Sequence, residues 1–208
     1  AQKDLKFIIG YSSSSHMGYV VLGLASLTAL GLNGAVLLMF AHGIMTAVAF
    51  ALVGHIYDQT HTRYLPDLGG LAHQLPFIAA SGVIAAMASS GLPGFANFVA
   101  ELLIFIGSWD RYPVQTVCAV FGIVITAVYM LRFVRGIFFG ESQRTFANVR
   151  DAVHPFARLP YLVLIGVLLA VGCWPGPLLR IVDSGTRTLI ERMAPQEPGR
   201  LAETASAE

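Results

Sequence analysis

The chain has 208 residues, 55% of them hydrophobic and 12% charged, with a mean hydropathy of +0.67, a composition typical of integral membrane proteins. Its 13 Lys and Arg against 12 Asp and Glu leave no basic patch dense enough for nucleic acid, which excludes that class of partner. Two isolated cysteines, Cys118 and Cys173, each lie in an apolar run and read as small buried hydrophobes rather than as a disulfide or metal pair.

Runs of about 20 apolar residues, with Gly and Pro tolerated, predict an all-α bundle of five membrane helices. The first, about 7–30, carries the serine run Ser12 to Ser15 and then His16, ten residues past Lys6 and roughly 15 Å into the span. Gly31, Leu32 and Asn33 leave room for only a tight link, so the first two helices form an antiparallel hairpin. The second, about 33–57, places His42 nine residues past Asn33, about 14 Å deep, and His55 near its end. The third, about 75–109, is too long for one straight crossing: at 1.5 Å per residue it reaches roughly 50 Å against a hydrocarbon core of about 30 Å. Gly91, Leu92, Pro93 and Gly94 interrupt it, and Glu101 follows, eleven residues before Tyr112 and about 16 Å from the far end. The fourth, about 114–140, ends with Arg132 and Arg135, which snorkelling explains without a site. The fifth is placed at about 159–181. Beyond it, Leu178, Leu179, Val182, Leu189, Ile190 and Met193 form a stripe suited to lying along the membrane surface, and Pro195 to Glu208 read as a disordered polar tail. This divides the chain into a transmembrane half-domain, 1–183, and a segment 184–208 of amphipathic helix and tail.

Lys3, Lys6, Arg63, Arg132, Arg135, Arg144, Arg150 and Arg158 fall on the side that holds the N-terminus, against Arg111 on the other before the last span. The positive-inside rule therefore makes the N-terminal side cytoplasmic and the C-terminus external, despite Arg180, Arg187, Arg192 and Arg200 in the tail. The chain starts with Ala1 and no signal region precedes its first span, so it is expected to be the C-terminal piece of a longer protein.

Three titratable side chains, His16, His42 and Glu101, thus share the bilayer midplane. Each has polar company at helical spacing: Ser12 and Ser13, Thr46, and Asn97. A buried intramembrane acid is a functional candidate by default, and imidazole exchanges protons near neutrality. A lone membrane histidine can equally serve as a helix-to-helix hydrogen bond, and Ser or Thr often bonds its own backbone. His61, His73 and His154 lie in loops and make no metal-ligand spacing, so no metal is expected. A break between half-helices frees backbone groups that order water at membrane depth. Together these point to a proton or cation path through hydrated side chains.

The runs AQKDLKFIIGYSSSSHMGYVVLG, GAVLLMFAHGIMTAVAFALVGHIYDQTHTRYLPDLGGL and ASSGLPGFANFVAELLIFIGSW closely resemble the C-terminal half of the M-type (chain 4) antiporter-like membrane subunit of respiratory complex I. Related cation/proton antiporters share the serine-histidine run, the histidine-glycine pair and the GLPG helix, while Thr60 to Leu71 resembles the M-type subunit in particular. The resemblance covers about residues 1 to 140 strongly. It departs at Phe7, where the family often has a basic residue, and at Ala96 and Asn97, where it often has glycine. It implies a fourteen-helix subunit of a proton-pumping NADH:quinone oxidoreductase, of which this chain holds the last five helices and lacks the half that carries another buried acid and lysine. It further implies that His16 and His42 belong to a central line of protonatable groups, that Glu101 is the terminal acid, and that the partners are other membrane subunits of complex I, the lipid bilayer, structural water and protons. The expected location is a bacterial inner membrane.

No glycine-rich dinucleotide turn or cysteine cluster is present, so no cofactor or redox centre is expected in this chain, and energy must arrive from partner subunits. The rival readings are a subunit of a multi-subunit sodium/proton antiporter, a haem-binding membrane module with His16 and His42 as axial ligands, and a purely structural scaffold.

Overall fold

The computed structural model describes residues 2–141, 146 and 149–193, with nothing stated of the Met193 side chain. Arg144, Arg200 and the tail from Pro195 lie outside the described residues. Among the described residues seven α-helices follow one another: α1 Leu5–Ser26, α2 Ala29–Thr60, α3 Pro76–Ser89, α4 Ala96–Ser108, α5 Pro113–Phe138, α6 Pro155–Cys173 and α7 Gly176–Met193. Among the described residues the only extended pairing is a single bridge between Asp4 and Tyr64. Helices α2, α5 and α6 are long and apolar enough to cross a membrane, and the 14-residue α3 and 13-residue α4 are shorter apolar helices that flank the break. The chain is an all-α membrane protein.

Local chemistry fixes each boundary. Asp4 caps α1 by accepting from the Lys6 amide at 2.8 Å, and Leu27, in the left-handed region at φ 52°, ends it. Thr28 then caps α2 through the Gly31 amide at 3.0 Å. The hairpin turns at Leu27 and Thr28, four residues before the link expected at Gly31 to Asn33. Those three residues are helical and buried, because a tight two-residue turn with a Thr cap leaves fewer amides to satisfy inside the bilayer than a glycine loop would. Pro76, Pro113 and Pro155 each sit in the first turn of a helix, where a missing amide costs nothing. The α3 terminus has no cap of its own. Asp151, from the segment before α6, supplies one by accepting from the Phe77 amide at 2.9 Å and the Ile78 amide at 3.3 Å. The fifth span ends at Cys173, not near 181, because Pro175 cannot continue the helix and forces Trp174 out of the α region. The boundary drawn at 183 falls inside α7, which runs unbroken from Gly176.

Helix α2 is the central post, touching α1, α3, α4, α6 and α7. It meets α4 backbone to backbone: a Cβ added at Gly34 would stand 2.8 Å from the Ala100 carbonyl oxygen and the Ile104 amide nitrogen. On the N-terminal side, Leu5 donates to the Arg63 carbonyl and Leu65 to that of Lys3, and His55 Nε2 lies 3.2 Å from the Arg150 carbonyl oxygen. On the opposite side α7 folds back onto α2, where Asn33 donates to Asp183 at 2.9 Å and accepts from Thr186, while Leu178 and Leu179 pack against the core. The outer face of α5 is exposed and apolar along Val117, Phe121, Val124, Ile125 and Val128. Cys118 and Cys173, expected to be buried, are both exposed, since α5 and α6 turn most of their surface outward.

Gly34→Val is expected to cost about 1–3 kcal/mol of stability, because the clash is with backbone rather than with a movable side chain. Gly43→Ala, which points into open space, serves as the control without a clash in the same thermal-unfolding measurement and should not destabilise. The hydrogen bond from Asn33 first, with Arg187 adding to it, holds the Asp183 carboxyl below the usual carboxylate range. A depressed folded value means that this contact stabilises α7 above the ordinary carboxylate range and is lost as pH falls through the folded value. Limited proteolysis as a function of pH should find α7 more cleavable in acid, and Asn33→Ala should reproduce that sensitivity at neutral pH.

Candidate functional site

The three residues singled out at the midplane come together. His16 from α1, His42 from α2 and Glu101 from α4 are all buried, and the His16 and His42 rings stack with centroids 4.9 Å apart at 18°. Glu101 Oε1 lies 3.6 Å from His16 Nε2. Each ring nitrogen of His16 faces a carbonyl: Nδ1 is 2.8 Å from Ser12 O one turn back, and Nε2 is 3.2 Å from Ser89 O. Carbonyls only accept, so neutral imidazole satisfies one of them and imidazolium satisfies both. Ser89 closes α3, and its carbonyl is among those that a helix end leaves without an intrahelical partner. The C-terminal end of a half-helix also favours positive charge. The break thus does two things at once, freeing an acceptor for His16 and bringing the acid of the next half-helix beside it.

The turn between α3 and α4 is built for that carboxylate. Gly91 has φ +65°, and a Cβ there would stand 2.5 Å from Glu101 Oε2. Only glycine combines the left-handed backbone with room for the acid. The break is covered by α6, whose Gly172 packs on the backbone of Gly94 and Phe95 and whose Cys173 thiol donates to the Gly94 carbonyl at 3.7 Å.

Around this cluster three buried polar atoms have no partner among the described residues: His42 Nδ1 and both side-chain polar atoms of Asn97. Asn97 lies one turn before Glu101, and the Tyr19 ring meets His16 edge-on at 5.8 Å. Thr46 and Ser13, expected to accompany the histidines, bond back to their own helices at the carbonyls of His42 and Ile9. Ser12 behaves differently: its hydroxyl accepts from Tyr129 at 2.8 Å and lies 3.5 Å from the Ser89 hydroxyl. Ser89, Tyr129 and Tyr19 were not anticipated, nor was the contact that Gly91, named as part of the break, makes with Glu101. Only the position of Ser89 and Gly91 at the break, and a hydroxyl inside the fourth span, signal them in the sequence.

The remaining histidines stand apart. His61 ends α2 in the left-handed region, His73 lies in a single 3-10 turn, and His154 accepts from the Phe156 amide. Among the described residues no group of three His, Cys, Asp or Glu is placed to hold a metal. The stacked rings of His16 and His42 turn their faces to each other, so they do not present the two opposed nitrogens that a haem iron requires.

Residues 1–126 match the family model described as NADH:quinone oxidoreductase/Mrp antiporter, TM. The chain belongs to this family. It is 38% identical over 207 residues to NAD(P)H-quinone oxidoreductase chain 4 of Acaryochloris marina (strain MBIC 11017), covering 95% of this chain and 39% of that protein. The chloroplastic chain 4 of Chlorokybus atmophyticus is 37% identical over 93% of this chain and 40% of its own length. The resemblance to the chain 4 subunit expected from the sequence is therefore borne out, and this chain spans about two fifths of the length of those relatives. Among solved structures, a chain of respiratory complex I from Thermus thermophilus with bound NADH superposes with a TM-score of 0.82 at 30% identity, over 91% of this chain and 40% of that one. A chain of the Mrp complex from Dietzia sp. DQ12-45-1b superposes with a TM-score of 0.83 at 24% identity, over 92% of this chain and 44% of that one, a likeness of fold alone. These solved neighbours are chains of multi-subunit assemblies.

The Gly91 cradle makes a separable demand. Gly91→Ala should lower thermal stability by about 1–3 kcal/mol through backbone strain and the clash with Glu101. In a double-mutant cycle with Glu101→Ala the clash part should vanish and the strain part remain, giving a coupling between the two positions of roughly 0.5–3 kcal/mol. No coupling in thermal denaturation would mean that the carboxylate does not rest on this turn.

Proposed function

We propose that this chain is the proton-translocating portion of an antiporter-like membrane subunit of a quinone oxidoreductase of the complex I type, and that protons pass through His42, His16 and intervening waters to Glu101. The observation that carries the reading is the buried contact between His16 and Glu101 across the broken helix, 3.6 Å from nitrogen to oxygen. A proton shared between imidazole and carboxylate converts an ion pair into a neutral pair. In hydrocarbon both states are tolerable only if each is hydrogen-bonded, because breaking a buried pair typically costs 3–5 kcal/mol. The carbonyls of Ser12 and Ser89 support the charged form of His16. The orphan atoms of His42 and Asn97 support waters, the usual partners of buried polar groups that lack a protein one.

The charge bias supports a cytoplasmic N-terminal side and release on the other face. The partners are further membrane subunits, which supply the energy by helix packing and electrostatics; this chain contributes the relay and no redox chemistry. The reading gives His16 and Glu101 proton-transfer roles, His42 the next position along the membrane plane, and Gly91 and Asn97 positioning roles.

Glu101→Gln keeps the shape of the side chain and removes its titration. In the complete assembled complex, reconstituted in vesicles, this variant should assemble normally and lose proton movement, and His16→Gln should do the same. Normal proton movement by Glu101→Gln would remove the acid from the mechanism and favour a scaffold. Movement that requires sodium would assign the chain to sodium/proton exchange.

A further inference from the structure

Helix α5 brings a hydroxyl to the buried cluster at Tyr129. The Tyr129 hydroxyl donates to Ser12 Oγ at 2.8 Å, and Ser12 Oγ lies 3.5 Å from Ser89 Oγ. Ser12 and Ser89 are the two residues whose carbonyls hold His16, so these hydroxyls belong to the same two residues that bound the imidazole. On the other side of the pair is a cleft of about 500 Å³, lined among others by Lys3, Tyr11, Ser12, Tyr129 and Arg132. Its two ends differ in chemistry. Lys3 precedes α1 on the side that also holds Arg63 and the Asp4 to Tyr64 bridge, whereas Ser12 lies nine residues further on, about 13 Å deeper. The cleft therefore begins among charges at the membrane surface and ends on two hydroxyls, and Ser12 itself is only 2% exposed, which makes the hydroxyl pair a closed door rather than an open channel.

We infer that Tyr129 and Ser12 form a proton inlet to His16 from the side on which this chain begins. The inference rests on the relay proposed above and adds a local supply to it. In the step, a hydronium ion in the cleft gives its proton to the Tyr129 oxygen, and Tyr129 passes its own hydroxyl proton to Ser12. Ser12 passes its proton to the Ser89 hydroxyl 3.5 Å away, and Ser89 releases its own through a bridging water to the His16 Nε2 left bare by transfer to Glu101. Each hydroxyl gains one proton and loses one, water is left in the cleft, and His16 regains its charge. Tyr129 is suited to this because one turn of its O–H breaks the bond to Ser12, so the same group opens and closes the path. Arg132, one turn further along α5 and lining the same cleft, keeps the mouth polar without reaching the hydroxyl pair.

The test uses the complete complex in sealed, oriented vesicles. In a background with Cys118 and Cys173 replaced by Ser, Ser12→Cys should react with a small membrane-impermeant thiosulfonate added to the face that holds Lys3, and not with reagent added to the opposite face. Tyr129→Phe, which keeps the ring and removes the donor, should lower the ratio of protons moved to electrons transferred, while Ser12→Thr, which keeps a hydroxyl, should retain it. Lack of labelling from the Lys3 face, the result expected if another helix or a lipid fills the cleft, overturns the inlet. So does a full proton ratio in Tyr129→Phe. Glu101→Gln run in parallel separates the two levels: loss of proton movement there with a normal Tyr129→Phe sinks the inlet alone, and normal movement in Glu101→Gln sinks the relay beneath it.

Discussion

Hydrocarbon offers no hydrogen bonds, and every backbone group at membrane depth must find a partner within the protein. Most of this chain meets that demand by being helical. The stretch from Ser90 to Phe95 does not, and its amides turn back onto Ala86, Ala88, Met87 and Leu92 in a compact turn. The carbonyls are harder to satisfy. Ser89 O goes to His16 and Gly94 O to the Cys173 thiol, so helices α1 and α6 are both drawn to the break by the same shortage of donors. The site exists because an interruption in a membrane helix has to be answered by side chains from its neighbours.

That answer depends on close packing around α2. Gly34 lets the backbone of α4 come against α2, and α4 in turn carries Glu101 to the His16 ring, which stacks on His42 from α2 itself. Widening the α2 to α4 contact by one methyl group moves the acid relative to both histidines. The glycines of this chain are thus part of the chemistry at two positions: Gly34 sets the distance between helices, and Gly91 leaves space for the carboxylate. The two outer helices have a lighter role. Helix α6 covers the break, while α5 buries Met130, Phe133, Val134, Ile137 and Phe138 in the core, brings Tyr129 to Ser12, and turns an apolar outer face to its surroundings.

The energetics favour a site that is poised rather than stable. Burying His16 and Glu101 together exacts a desolvation cost that their attraction offsets only when the remaining donors and acceptors are matched. For His16 they are matched in the charged form, while His42 and Asn97 keep unpartnered atoms. A cluster in which one member is fully satisfied and its neighbours are not is easily shifted by one proton or one water. That is a useful property for a relay and a poor one for a scaffold.

The sequence by itself determined the class of the molecule, the broken helix and the three midplane residues, because each rests on a one-dimensional property: apolar length, the Gly-Leu-Pro-Gly interruption and the number of residues from a membrane surface. It misplaced the first hairpin, since Gly31 to Asn33 look like a link although lipid favours the shorter turn capped by Thr28. It extended the fifth helix past Pro175 because apolar residues continue on both sides of the proline. What only the tertiary structure decided is which groups meet across helices. The pairing of His16 with the carbonyl of Ser89, the cap that Asp151 lends to α3, and the contact of Tyr129 with Ser12 join residues 73 to 117 positions apart. Such contacts follow from how helices rotate and cross under the requirement that no polar group be stranded in hydrocarbon, and that requirement is solved in three dimensions only.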